Sequence, residues 1–272
     1  MAEATAEVEE LSGGDPIFTV RDLVKGFGAL LAVDRATFEV HRGSITALIG
    51  PNGAGKTTLF NLATGFIKPD RGGIEFEGRS IFGRSPHGIA RTGMGRTFQI
   101  TKALTAMTVL DNMMLAAPDQ PAERLLGLLT RPLSWRRQER LIRDRSMELL
   151  ERFRLAPLAN SYAGTLSGGQ RKLLEFARLL MAKPRMVLLD EPLAGVNPVL
   201  GEQILAHVHE LRAEQGMTFL FIEHNMEVVM NNADRVVVMA FGRVIATGLP
   251  SDVRSDQRVI DAYLGAHDQD VA

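Results

Sequence analysis

Cysteine is absent from all 272 residues, which excludes disulfides, thiolate catalysis and zinc–thiolate sites. Such a chain fits a reducing compartment. No apolar run reaches the about 18 residues that a spanning helix needs, so the chain is not expected to cross a membrane. A basic excess is missing too. Lys and Arg number 31 against 32 Asp and Glu, a formal net charge of −1, which is a poor profile for a dedicated nucleic-acid binder. Residues 1–15 are acidic and rich in small side chains. They lack the basic segment and apolar stretch of a signal peptide, and read as a solvated leader on a cytosolic protein. What is present is a 45% apolar chain of a length that suits one large α/β domain, or one core with small inserted lobes.

Strand texture begins at Ile17. Residues 17–20 and 36–40 read as strands, and 44–49 as a third that is nearly apolar throughout. A strand of that kind is expected to be covered on both faces, as in a central parallel sheet. It runs into a Gly-rich turn and then a helix from Lys56 to about Ala63. Residues 74–76 form a short alternating strand. From about 100 to 165 strand signals vanish, and a helical lobe inserted into the α/β core is expected there. Within it 134–153 reads as an amphipathic helix, with Leu141, Ile142, Leu149, Leu150 and Phe153 on one face and Arg136, Arg137, Arg140 and Arg143 mostly elsewhere. Strands return at 186–189, 218–222, 235–239 and 243–246, the last two bracketing a turn at Phe241-Gly242. Asn197-Pro198 reads as an N-cap followed by Pro at the first helical position. The alternation argues for a parallel sheet with crossover helices.

The residues Gly50, Pro51, Asn52, Gly53, Ala54, Gly55, Lys56 and Thr57 fit the phosphate-loop pattern G-x-x-x-x-G-K-[ST], and Thr58 follows. The glycines let backbone N–H groups turn inward around a phosphate, and the following helix points its positive end at the same anion. Lys56 can reach the terminal phosphates of a nucleotide, and the Thr57 hydroxyl can ligate Mg²⁺. The context supports the match, since an apolar strand precedes it and a helix follows.

A phosphate loop alone gives no reaction. Mg²⁺ needs a second carboxylate, and hydrolysis needs an oriented water. The apolar strand at 186–189 runs into Asp190-Glu191. Asp190 is the candidate for holding Mg²⁺ and Glu191 for the general base. The plainer reading is a strand-end acidic pair at a helix cap. A second Gly-rich turn, Leu166-Ser167-Gly168-Gly169-Gln170, precedes a helix from about Arg171 to Met181. It offers another anion site at a helix N-terminus, and one chain has no evident use for two. A dimer in which this turn caps the other subunit's nucleotide would use both. The plainer reading is an N-cap at Ser167.

The Leu-Ser-Gly-Gly-Gln run, lying between these two motifs, resembles the signature of ABC-type ATPases. The likeness covers nearly all the chain from Ile17 to Gly265. It implies an α/β P-loop cassette with a RecA-like parallel core, an antiparallel β subdomain and an inserted helical lobe. Residues 16–265 would form that domain, with a tail at 266–272. It implies ATP and Mg²⁺ as ligands, with Ser167, Gly168, Gly169 and Gln170 facing the partner's nucleotide. It assigns Gln99, in Arg96-Thr97-Phe98-Gln99, to Mg²⁺ and the attacking water, and His224, in Ile222-Glu223-His224-Asn225, to the γ-phosphate. It assigns Phe27 to stacking on adenine. One position departs from the family: Asn197 stands where many members carry the Asp that communicates across the dimer.

Within the family, residues 50–61, 96–99, 194–198 and 248–265 are similar to ATPase subunits of high-affinity branched-chain amino acid importers. That type implies a cytoplasmic subunit, peripheral on the inner face of the membrane. Its partners would be two integral-membrane permeases, a second ABC ATPase or a head-to-tail copy of itself, and an external substrate-binding protein. Urea and amide importers look similar, as does the ATPase of lipopolysaccharide export, although Arg-Thr-Phe-Gln favours the amino-acid type. Soluble ABC switches form a further class, usually with two cassettes, a coiled coil or a zinc insert, none of which is seen here.

Overall fold

The computed structural model describes residues 15–97, 103–118 and 132–267. The chain divides into two compact units. One comprises the residues up to Met94 together with Arg185–Pro192 and the chain from Leu205 onward. The other comprises Gly95–Pro184 and Leu193–Ile204.

The first unit holds two sheets. In the smaller one, β1 (Pro16–Phe27) lies between β2 (Leu30–His41) and β4 (Arg71–Phe76), with β5 (Arg79–Ser80) at the edge. All its pairings are antiparallel. Alternation along β2 buries Ala36, Phe38 and Val40 on one face, as expected for a sheet with a single covered side, and Val33 is buried beyond a register shift at Arg35. Phe18 and Phe38 meet edge to face there, with ring centroids 6.1 Å apart. Strands β1 and β2 run further than the apolar patches at 17–20 and 36–40, because hairpin pairing carries them to Phe27↔Leu30 across a turn that Gly28 closes at φ 60°.

The larger sheet contains β3 (Ile45–Ile49), β7 (Met186–Asp190), β8 (Thr218–Ile222), β9 (Arg235–Ala240) and β10 (Arg243–Gly248). Their order is β10-β9-β3-β8-β7, with β6 (Met94–Arg96) beyond β7. The pairings β3–β8, β3–β9 and β7–β8 are parallel. Every residue of β3, β7 and β8 is buried, which explains their mostly apolar sequences, with Thr46, Asp190 and Thr218 the buried exceptions. Helix α1 (Lys56–Ala63) buries Leu59, Phe60, Leu62 and Ala63. Because β3, β8 and β7 are parallel neighbours, their carboxyl ends lie along one edge. In open α/β sheets that edge is where ligands bind.

The second unit is helical. Helix α3 (Val109–Leu115) follows the short α2 (Pro86–Ala90) of the first unit, and α4 (Pro132–Arg152) and α5 (Gly168–Leu180) come next. Phe153 and Phe176 pack edge to face at 5.5 Å. The expected apolar face of α4 needs one correction. Leu141 is 61% exposed, while Leu149, Leu150 and Phe153 are buried. The seam instead runs through Ile142 and the buried Ser146, whose hydroxyl donates to the Ile142 carbonyl at 2.8 Å. Spacings of four, three and four residues from 142 reach 146, 149 and 153, and Leu141 falls one step off that stripe. Helices α6 (Pro198–Gln215), α7 (Met226–Asn232), α8 (Pro250–Ser255) and α9 (Gln257–His267) complete the chain.

Candidate active site

The phosphate loop leaves β3 at Gly50, and its geometry explains two glycines. Gly50 adopts φ 147°, and a Cβ there would stand 2.0 Å from the Met239 carbonyl oxygen. Gly55 adopts φ 98°, and its Cβ would meet the Ala32 carbonyl oxygen at 2.2 Å. No side chain caps α1, and no acidic residue lies in its first turn. Its first N–H groups and its positive dipole end are therefore available to an anion.

Lys56 is buried, with Nζ donating to the carbonyls of Gly50 at 2.7 Å and Pro51 at 2.9 Å. Burial pulls its pKa below the usual lysine value, and the Glu191 carboxylate pushes the other way. Thr57 is exposed and Thr58 half-buried.

Asp190 ends β7 and is buried, while Glu191 stands one residue beyond it. Glu191 holds a left-handed φ of 48°, rare for a non-glycine residue, and its N–H donates to the Ile222 carbonyl at 3.1 Å. This kink after the strand separates the two carboxylates. Glu191 Oε1 lies 2.8 Å from Nε2 of His224. His224 is fixed from the following side, where Asn225 caps α7 by accepting from the N–H groups of Glu227 and Val228. Glu191 and His224 border one cleft of about 490 Å³ together with residues 30–32 and 52–58 and the Phe241-Gly242 turn, and Asp190 lies behind Glu191 outside that lining.

The donor set fits Mg²⁺. The cation takes oxygen ligands, keeps several waters and binds through one or two protein groups plus phosphates. Thr57 and Asp190 offer a hydroxyl and a carboxylate of that type. Among the described residues no group of three or more His, Asp or Glu could hold a metal by itself.

Phe27 sits at the tip of the β1–β2 hairpin, half exposed, with Lys25 Nζ 5.5 Å from its ring centroid, and does not border the cleft. Gln99 lies outside the described residues.

The Ser167–Gln170 turn belongs to the second unit. Ser167 Oγ accepts from the Gln170 N–H at 3.2 Å, and Gln170 Oε1 accepts from the Ser167 N–H at 2.9 Å. This is a reciprocal capping box, so the plainer N-cap reading of Ser167 is structurally real. It leaves Gly168 unexplained. A Cβ at Gly169 would strike Leu200 Cδ2 at 2.3 Å, but at Gly168 it would meet nothing within 4 Å, and Gly168 is exposed. The turn opens on a hollow of about 530 Å³ also bordered by residues 195–197. Asn197 Oδ1 accepts from the Leu200 N–H at 2.9 Å and caps α6, a task that Asp or Asn performs equally.

Comparison with known proteins identifies the family. The family model described as "ABC transporter" matches residues 33–194. The chain belongs to the ABC transporter family. A second model, "Branched-chain amino acid ATP-binding cassette transporter", matches residues 243–269 of this ABC cassette. The high-affinity branched-chain amino acid transport ATP-binding protein of Pseudomonas aeruginosa is 41% identical over 250 residues, 92% of this chain and 98% of that protein. Its Escherichia coli counterpart is 40% identical over the same coverage. The crystal structure of a nucleotide-free ATP-binding cassette from an ABC transporter superposes with a TM-score of 0.78 at 39% identity, covering 92% of this chain and 99% of that one. The ADP conformation of an ATP-binding cassette gives 0.77 at 39% identity, with the same coverage. The expected α/β cassette is thus the fold observed, and the chain is an ATP-binding cassette of the transporter type.

One buried polar group escaped sequence reasoning. Tyr263 on α9 lies in the tail segment that carried the importer likeness. Its hydroxyl is buried and has no hydrogen-bond partner among the described residues. Burial pushes its phenol pKa up, and the Gly50 amide pulls the other way.

Proposed function

We propose that the chain is the ATP-hydrolysing subunit that powers a membrane importer of branched-chain or related amino acids. The observation that carries the chemistry is the 2.8 Å contact between Glu191 and His224 at the rim of the cleft that contains Lys56 and Thr57. The substrate class rests on the similarity to the named transport subunits and on the tail match at 243–269.

In this reading the loop from Gly50 to Thr58 holds the ATP phosphates, and Phe27, outside the cleft lining, would stack on adenine from the tip of the β1–β2 hairpin. Glu191 takes the proton of the attacking water, and His224 orients that carboxylate and the γ-phosphate. Mg²⁺, when bound, would neutralise charge on the β- and γ-oxygens, and Thr57, Asp190 and Gln99 would hold it. Ser167, Gly168, Gly169 and Gln170 face the nucleotide of an opposed cassette, which makes each site a product of two subunits. The second cassette is a related ATPase or another copy of this chain. Closure around ATP and reopening after hydrolysis form a two-state element biased by the γ-phosphate. Two integral-membrane permeases would receive that motion, and an external binding protein would deliver the substrate. Among the described residues no helix is long and apolar enough to cross a membrane, so attachment through the permeases at the inner face is the arrangement proposed.

The test is Glu191→Gln in the assembled transporter. It preserves shape and removes the base, so phosphate release should fall by about 100-fold or more while ATP binding persists. Turnover at the wild-type rate would remove Glu191 from the mechanism.

A further inference from the structure

Phe241 is a surface aromatic with no evident duty in the fold. It is 71% exposed and takes a left-handed φ of 49°, where a bulky side chain is a backbone outlier. Neither property stabilises the folded chain. A lone exposed Phe would need no explanation, but this one is not alone. Leu30 and Leu31, 66% and 51% exposed, border the same cleft, whose other wall is the phosphate loop.

The turn that carries Phe241 is tied on both sides. The Gly242 N–H donates to the Ala54 carbonyl of the phosphate loop at 3.2 Å, and the Gly242 carbonyl accepts from the Asp34 N–H at 2.8 Å. A Cβ at Gly242 would meet the carbonyl oxygens of Leu31 and Ala32 at 3.1 and 3.2 Å. Arg243 Nε then donates to Asp34 Oδ2 at 2.6 Å. The ring is thus carried on a backbone whose position is fixed to the cradle.

A cleft with N–H donors at one side and large apolar side chains at the other suits a ligand with one polyanionic end and one flat, weakly polar end. We propose that Phe241, backed by Leu30 and Leu31, is a binding residue for the adenosine half of the nucleotide, additional to Phe27. The proposal rests on the reading of this cleft as the ATP site. It assigns Phe241 to the base and ribose and not to the phosphates.

The test separates those halves on the full-length chain by calorimetry with Mg-ADP and with inorganic tripolyphosphate. Phe241→Asn is the variant of choice, because Asn tolerates a positive φ and removes only the ring. It should weaken Mg-ADP by about 5- to 20-fold and leave tripolyphosphate within about 2-fold, the scale of one lost stacking contact. Phe241→Leu should fall between the variant and the wild type. Unchanged Mg-ADP affinity in Phe241→Asn would overturn the assignment, and so would an equal loss for both ligands. Lys56→Ala should weaken both ligands. If it weakens neither, the cleft is not the phosphate site, and the inference falls with that reading.

Discussion

Glu191 pairs an unusual backbone with a charged neighbourhood. Its left-handed φ turns the chain sharply after β7, so that Asp190 stays buried while the next carboxylate reaches His224. Strain of this kind costs on the order of 1–3 kcal/mol, and the cost persists only where the surroundings impose the geometry. The same carboxylate also acts on Lys56. Burial disfavours the ammonium and lowers its pKa, and Glu191 partly restores it. Glu191→Gln should therefore lower the Lys56 pKa further in the nucleotide-free chain, because an anion that favoured the charged form is lost. Selective NMR titration of lysine side chains checks this, and an unmoved or raised value would contradict the coupling. Glu191 and Lys56 were both legible as sequence, since their motifs fix residue type and order. The positive φ at Glu191 and the Phe241 ring beside the cradle were not. A turn read as a turn gives no direction for its side chains.

At the scale of elements, the phosphate loop depends on α1 being seated. Phe60 is fully buried in the core under that helix. Phe60→Ala should cost about 3–5 kcal/mol in equilibrium denaturation, by lost transfer energy and the cavity left behind. The β1–β2 hairpin has a polar latch. Asp70 accepts from the Gly26 N–H at 2.8 Å and from Lys25 Nζ at 2.7 Å, next to Phe27. These bonds hold the Asp70 carboxyl below its ordinary range, with the Gly26 amide as the larger cause. A depressed carboxyl stabilises the fold above its unfolded pKa of about 3.9, and the contribution is lost as pH falls through the lower folded value. Asp70→Asn should reproduce the acid state at neutral pH, seen as faster hydrogen exchange of the Gly26 amide. An unchanged rate would show that the hairpin holds without the latch. The buried strands β3, β7 and β8 could be read directly because short, nearly apolar runs bounded by turn signals admit few alternatives. The short helices α2, α7 and α8 could not, since two turns or fewer give too little periodicity, and tertiary packing decides them. Leu141 shows the same limit. A seam drawn from apolar residues alone missed Ser146, whose hydroxyl satisfies itself on the preceding turn.

For the whole molecule, the phosphate loop and the Ser167 turn each border a separate hollow, and the proposed site would join one of each from two opposed cassettes. Ser167→Arg places a long cation where another cassette would approach. ATP binding by the separate subunit should survive, while hydrolysis by the assembled transporter should stop. Because Ser167 also caps α5, its loss costs about 1 kcal/mol by itself, and Ser167→Ala is the matched control for that local effect. Loss of ATP binding in Ser167→Arg but not in Ser167→Ala would contradict the role across the interface. The central claim is that this ATPase drives permeases. Its most direct test is affinity capture of tagged Glu191→Gln from native membranes in Mg-ATP, with bound proteins identified by mass spectrometry. The account predicts two multi-spanning permeases and a related ATPase, held together in the trapped closed state. Recovery of soluble proteins or nucleic acid alone would contradict it.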